Sequence, residues 1–431
     1  MKKVAFFIDN RSINDVDVSR IELGNPGIGG TEYLLFLIPT LLNRNDNGLD
    51  IRLYVLSEQN TAKDLNTIRV DSIENAIEEA EKDDVELFVT KHCVENIYNN
   101  SIHSAKGLKF IIWCHIFACY WELDYYSRNA SVAKVVFVSR ETADLYIDHP
   151  IFAKSTYIFN CIDINGCYEA VKSKPLQSRK NIVSYVGSIV PFKGFHVLAE
   201  AWPEVIKAVP DAELYVIGSG KLYDKSAQLG KYGIAEKQYE DFFMQFLAPD
   251  GSIPDNIHFM GKVGAEKNEI LLKTKVGVPN PSGVTETFCL GAIEFQIFGS
   301  VISTGKSPGY VDTVVNGKQC RGSKSLAKSI IKQLKTTGKD NYQRTYYYIK
   351  KNFSSEIIIK DWEYLLSKDI CKSDGHHNLN YRLKWVKIPL GFLKKRIPVL
   401  SCIPPIERII LFFERKFLHR VTYMDSNCVP W

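Results

Sequence analysis

Nowhere does this 431-residue chain hold an apolar run long enough to cross a bilayer as a helix, which takes about 20 consecutive apolar residues. Its first ten residues, MKKVAFFIDN, carry a basic pair and then only five apolar residues before Asp9. That is too short for the core of a signal peptide, and it reads instead as a first buried strand. The ten cysteines include no Cys-x-x-Cys pair, and no His stands at metal-ligand spacing from them. Cys114, Cys119 and Cys289 lie in apolar segments, so reduced core thiols are expected and disulfides or zinc are not. Neither sign of charge dominates, the net being +5. From Cys371 onward there are eleven Lys/Arg against four acids, so this tail is +7 and the preceding 370 residues are about −2. A nearly neutral body excludes a general nucleic-acid binder. These absences together predict a cytoplasmic protein.

What is present is organised around Asn280–Tyr310, NPSGVTETFCLGAIEFQIFGSVISTGKSPGY. The short apolar run Val276–Val278 precedes it, and Phe288–Phe298 is apolar on nearly every side, which predicts a buried helix. Glu294 sits inside that helix and Glu286 just before it. A buried carboxylate is costly unless it is paired or ligand-bound. The two are about 12 Å apart along a helix rising 1.5 Å per residue. They could grip two ends of one extended ligand whose anionic middle faces the helix start. Equally, Glu294 could meet an Arg or Lys in an ordinary core.

In the first half, short apolar runs alternate with helical patterns, which predicts a doubly wound α/β domain, and strand–glycine turn–helix units follow in the second. Strands are expected at Val4–Ile8, Ile51–Leu56, Glu86–Val89, Lys109–Cys114, Lys134–Val138, Ile182–Val186, Glu213–Ile217 and Ile257–Met260. Helices are expected at Thr31–Asn43, Glu74–Lys82, Arg140–Tyr146, Phe195–Val209 and Glu266–Thr274, with closing helices at Ile330–Leu334, Tyr342–Asn352 and Ile357–Leu366. The polar stretch after Asn165-Gly166 reads as a linker. The predicted organisation is a domain over 1–165, a second over 166–370 and a basic tail over 371–431. Gly29-Gly30 opens the first helix after a glycine-rich turn, a place where backbone amides can approach an anion or a sugar closely. His115 ends the strand Lys109–Cys114, where a side chain would face a ligand or make a structural hydrogen bond. Lys193 follows the turn Gly187-Ser188 and precedes a helix, either reaching phosphate or standing solvated in its loop.

Gly29-Gly30, His115, Asn160-x-Ile162-Asp163, Val186-Gly187 followed by Lys193-Gly194, and Pro281-Ser282 followed by Glu286-x7-Glu294 occur in an order that resembles the retaining glycosyltransferases of family 4 over residues 1–370. The resemblance implies a GT-B fold, two Rossmann-like domains facing a cleft. It implies transfer of a sugar from a UDP- or GDP-linked donor to a glycan or lipid-linked acceptor, as in bacterial surface polysaccharide synthesis. By the same resemblance Glu294 binds the ribose, Glu286 holds the transferred sugar, and the backbone of Phe288, Cys289 and Leu290 lies near sugar and diphosphate. Lys193 neutralises the leaving diphosphate, His115 touches the donor sugar, and Gly29-Gly30 lies against phosphates and acceptor. No metal is implied.

The chain departs from the pattern in four places, one of them Cys161, which stands where the linker usually has Gly. Ser188 stands where an Arg is usual, leaving Lys262 or Lys306 to substitute. Glu286-Thr287-Phe288-Cys289 replaces a glycine-containing turn, and Asp312 follows Pro308-Gly309-Tyr310 where two glycines and a Glu are usual. A GT-B nucleotide-sugar epimerase, and a weakened subunit that binds donor or scaffolds a complex, are the alternative readings. In the tail, Trp385, Phe392 and Leu393 mix with Lys394-Lys395-Arg396, and Ile406, Ile409, Ile410, Phe413 and Phe417 fall at helical spacing among Arg408, Arg415, Lys416 and Arg420. This predicts that 381–421 lies on an anionic membrane on its cytoplasmic face, the alternatives being a helix packed on the body or a partner contact.

Overall fold

The structure is a computed structural model that describes residues 1–93, 107–221, 228–264, 266–284, 286–336, 341–367 and 384–397, with 399, 400, 403–406 and 409 beyond them. It divides into two compact units, Met1–Asn160 with Glu356–Trp431, and Cys161–Ser355.

The first unit is built on a parallel sheet of seven strands, β1 (Lys2–Ile8), β2 (Leu49–Val55), β3 (Asn66–Arg69), β4 (Leu87–Lys91), β5 (Lys109–Cys114), β6 (Val132–Phe137) and β7 (Ser155–Tyr157). Their order is β3-β2-β1-β4-β5-β6-β7. Val4–Ile8 is buried throughout, as a strand covered on both faces must be. The second unit holds six parallel strands, β8 (Ile182–Val186), β9 (Glu213–Ile217), β10 (Ile257–Gly261), β11 (Val276–Gly277), β12 (Val301–Thr304) and β13 (Gly317–Gln319), in the order β10-β9-β8-β11-β12-β13. Each sheet is flanked by helices, and the two units are the Rossmann-like domains of a GT-B fold.

The expected strands and helices form within a few residues of their predicted ends, except that the helix expected at Ile330–Leu334 begins eight residues earlier and runs Gly322–Lys335. The sequence reading missed β3, β7, β12, β13 and the helices Tyr120–Arg128, Lys237–Leu247, Tyr310–Thr313 and Cys167–Ser173, the last lying in the stretch read as a linker. β3 reads Asn-Thr-Ile-Arg and β13 reads Gly-Lys-Gln, each partly exposed at or near a sheet edge, so ladder bonds rather than an apolar run define them. One helix changes allegiance. Ser355–Ser367 lies in the stretch read as part of the second domain, yet from Glu356 onward it belongs to the first unit. Its Trp362 is fully buried edge-on against Phe6 and Trp113, with ring centroids 6.0 and 4.8 Å away. The chain crosses from one unit to the other at two places that run side by side, Ile162 bridging Ser354 with its N–H on the Phe353 carbonyl at 3.1 Å.

Burial depresses three histidines. His115 is pushed down to about 3 by burial and then by Lys91, and His149 and His196 to about 4 by burial. In the unfolded chain they titrate near 6.5, so below that pH the unfolded state binds more protons and stability is lost as pH falls toward the folded values. We expect the melting temperature to drop steadily between pH 7 and pH 4.5, with a shallower slope in His196→Gln. An unchanged slope in that variant would show that His196 is not one of the groups responsible.

Candidate functional site

In the second sheet the chain steps outward on one side through β9 and β10 and on the other through β12 and β13, so the switch point lies between β8 and β11. Ligands of open α/β sheets gather at the carboxyl ends of the strands at such a point. The residues that follow β8 and β11 are the ones the sequence singled out.

After β8, Tyr185 donates its hydroxyl proton to the Ser188 carbonyl at 2.8 Å, fixing the turn. Pro191–Lys193 forms a short 3-10 turn, and Gly194, left-handed at φ 67°, passes the chain into the helix Phe195–Ala208. A Cβ on Gly194 would stand 2.5 Å from the Ser282 Cβ and 2.6 Å from its backbone nitrogen, so the Lys193-Gly194 turn lies directly on the Pro281-Ser282 loop. Ser282 Oγ donates to the Phe192 carbonyl at 3.1 Å and completes that contact.

The loop after β11 is shaped around Glu286, which is 6% exposed. Its Oε1 accepts from Asn280 Nδ2 at 2.8 Å and pairs with Lys193 Nζ. Its carbonyl accepts from Ser307 Oγ at 2.5 Å and from the Gly309 N–H at 3.2 Å. Asn280 is itself locked, since Thr304 Oγ1 and the Tyr310 hydroxyl both donate to its carbonyl at 3.1 Å. Gly309 packs so close that a Cβ would meet the Phe288 nitrogen and the Thr287 carbonyl carbon at 2.4 Å. The carboxylate is therefore aimed from both ends, with a lysine as its charge partner.

Thr287 and Phe288 are buried, the Phe288 ring lying edge-on to Phe353 at 5.4 Å. Cys289 is left-handed (φ 65°) and caps the helix Leu290–Ile297; its carbonyl accepts from the Ala292 N–H at 3.2 Å, while the Leu290 and Gly291 amides lie ahead of any intrahelical acceptor. Burial, and then Glu286, push the Cys289 thiol well up, so it stays protonated and is no nucleophile at neutral pH. Within the helix Gln296 is fully buried and uses its whole amide, donating to the Ala292 and Thr313 carbonyls at 2.7 and 2.6 Å and accepting from Val315 and Asn316 at 2.8 Å. Glu294 remains partly exposed and pairs with Lys267 Nζ at 2.7 Å.

The structure thus gathers Ser188, Lys193, Glu286, Phe288, Cys289, Leu290 and Glu294 in the second unit. Ser188 is 2% exposed, and its Oγ meets no hydrogen-bond partner among the described residues. Lys262 and Lys306 are exposed, and the cation that reaches a site carboxylate in their stead is Lys267. Sequence reasoning missed Lys267, a helix-surface lysine with no local signal, and the supporting roles of Asn280, Ser307 and Tyr310.

His115, Gly29 and Gly30 belong to the first unit, at the carboxyl edge of its sheet. Burial keeps His115 neutral at physiological pH, and its ring lies 4.3 Å from that of Trp113. Gly29 caps the helix Gly30–Arg44, and Asn25 Oδ1 accepts from the Gly27 and Ile28 amides at 2.9 Å to shape the turn. Glu32 folds its carboxylate back to within 2.1 Å of where a Gly29 Cβ would be, and Lys91 Nζ lies 3.6 Å from it. This helix start already has its own anion. Among the described residues no group of three or more His, Cys, Asp or Glu is placed to hold a metal ion, and no described helix is long and apolar enough to cross a membrane.

Comparison with curated proteins found no match. Among solved structures the chain is similar to sucrose-phosphate synthase from Thermosynechococcus elongatus, at 15% identity and TM-score 0.63, over 85% of this chain and 98% of that one. It is similar to Anabaena HepE in complex with UDP-glucose at 14% identity and TM-score 0.62, over 85% and 100%. It is also similar to the lipopolysaccharide outer core galactosyltransferase WaaB, at 11% identity and TM-score 0.55, over 85% and 99%. At such identities the likeness speaks for the fold alone. Residues 169–352, which hold every member of the site at the β8/β11 switch point, match the family model Glycosyl transferases group 1.

Proposed function

We propose that this chain is a retaining glycosyltransferase of the hexosyltransferase type, resembling family 4, which moves a sugar from a UDP- or GDP-linked donor to a glycan or lipid-linked acceptor. The observation that carries the reading is the Lys193–Glu286 pair held at the β8/β11 switch point before the helix Leu290–Ile297, with Glu294 eight residues on. A donor diphosphate lying across that helix start meets Lys193 and the Leu290 and Gly291 amides, both favourable to anions. The sugar hydroxyls then fall to Glu286 and the ribose hydroxyls to Glu294, whose partner Lys267 adds a second cation at that end.

In the reaction the bond from the donor's anomeric carbon to the diphosphate oxygen breaks, and a bond from that carbon to the acceptor oxygen forms on the same face. The acceptor's proton passes to the departing diphosphate. Lys193 stabilises the charge that develops on the leaving group, the kind of preorganised electrostatic term that dominates catalysis. These cations give the diphosphate its counter-charge without calling on a metal. In the first unit Glu32 and Lys91 make the Gly29-Gly30 turn better suited to acceptor hydroxyls than to phosphate, and neutral His115 serves as a hydrogen-bonding group toward the donor sugar. The motif order Lys193-Gly194 then Glu286-x7-Glu294, which resembles family 4, supports a place in bacterial surface polysaccharide synthesis, and the basic tail supports a place at the inner face of the plasma membrane. A donor-binding subunit without turnover is the second reading, favoured by buried Ser188, which leaves Lys193 without a second cation beside it in the loop after β8.

Calorimetric binding of UDP- and GDP-sugars, with and without Mg²⁺, tests the site. One donor is expected to bind at micromolar affinity without metal and to lose about tenfold or more in Glu294→Ala, the scale of one charge-assisted hydrogen bond. No binding by any donor would refute both readings, and binding without transfer to any acceptor would leave the second.

A further inference from the structure

The helix Lys384–Arg396 is turned the wrong way for a helix bathed in water. Its inward face is Lys387, Gly391 and Lys394, at helical spacing and all buried. Gly391 lies so close to the first unit that a Cβ would stand 2.9 Å from the Ile147 carbonyl oxygen. Lys394 Nζ pairs with fully buried Asp148 at 3.0 Å, and the same carboxylate accepts from the Ile406 N–H at 3.1 Å. The outward faces carry Trp385 (83% exposed), Val386, Ile388, Phe392 (52%) and Ile397, with Val399 (76%) just beyond. Lys387 and Lys394 are inside and aromatic and aliphatic side chains outside, so the helix presents a largely apolar face to the surroundings.

We propose that this face docks on an anionic lipid bilayer. Charge points to that occupant. Lys395 and Arg396 are exposed on the same helix, the Arg396 guanidinium lies 4.2 Å from the Phe392 ring centroid, and the chain from Cys371 carries +7. Apolar and aromatic side chains interleaved with basic ones suit the headgroup boundary, whereas a second copy of the chain would bring like charge against like. Thirteen residues span about 20 Å, too short to cross, so the helix lies in the plane of the surface. Of the stripe Ile406, Ile409, Ile410, Phe413 and Phe417 expected from sequence, the last three lie outside the described residues. The inference is independent of the glycosyltransferase reading, since it rests on residues remote in sequence from the β8/β11 site.

Flotation of the full chain with vesicles of equal phosphatidylglycerol and phosphatidylcholine, and of phosphatidylcholine alone, tests it. Wild type is expected to float with the anionic vesicles and much less with the neutral ones. Binding is expected to fall about tenfold or more both in Trp385→Ser/Phe392→Ser and in Lys395→Glu/Arg396→Glu, because apolar burial and charge each contribute. All four side chains are exposed, so the variants should keep the wild-type circular dichroism and melting temperature. Absence of wild-type flotation on anionic vesicles, or variants that float like wild type, would overturn the proposal. So would a concentration-dependent dimer dissolved by the apolar variant, which would assign the face to a second copy.

Discussion

Glu286→Gln is expected to lower turnover by about 10²–10³-fold, the usual cost of removing one preorganised electrostatic group from a transfer site. The amide is nearly the same shape and can still accept from Asn280 Nδ2, so the loop keeps its form. What changes is charge. Lys193 loses its ion-pair partner and becomes fully available to the donor diphosphate. Donor affinity should therefore hold or tighten while kcat falls. Lys193→Ala should behave differently, weakening donor binding and lowering kcat together, because it takes away the cation and leaves a buried carboxylate without its partner. Measuring donor Kd and kcat for both variants separates the roles. If Glu286→Gln turns over as fast as wild type, the carboxylate has no part in the chemistry and the pair is structural.

Gly194→Ala should be strongly damaging to the second unit. A left-handed backbone costs a non-glycine residue roughly 1–2 kcal/mol. The added Cβ would also press on the Ser282 Cβ and backbone nitrogen at 2.5 and 2.6 Å, an overpacking that costs roughly 1–3 kcal/mol. The loop that yields holds Pro281-Ser282 and leads into Glu286, so lost stability and lost turnover should come together. Chemical denaturation and a transfer assay on the same preparation would check this. Gly309→Ala makes a useful companion, since its φ of −63° is ordinary and only the 2.4 Å approach to the 287–288 backbone opposes it. A fully stable, fully active Gly194→Ala would mean that the two loops are not held against each other.

Much of this molecule was legible in its sequence. Central strands such as Val4–Ile8 and Ile182–Val186 are short apolar runs because helices cover both sides of a parallel sheet, and burial on both faces writes itself into composition. Edge strands such as β3 and β13 are not written that way, and they were missed. Helix Leu290–Ile297 was legible because it is apolar nearly all round, and Gln296, its buried polar exception, needed the structure to show four partners around one amide.

The sequence by itself determined the α/β alternation and the residue types that meet at the second sheet's switch point, and the motif resemblance implied the Rossmann-like class of both halves. These depend on local pattern, in which strand and helix periods and glycine turns can be counted. Only the tertiary structure decided which lysine answers which carboxylate. Lys193 and Glu286 are 93 positions apart, and Lys267 and Glu294 are 27 apart. It also decided that Ser355–Ser367 returns to the first unit, that His115 stays neutral, and that the tail helix turns Lys394 inward and Trp385 outward. In each case the deciding term is desolvation or pairing between elements joined by long crossovers. A charge's neighbours in space are set by the order of strands in a sheet, which adjacent residues do not encode.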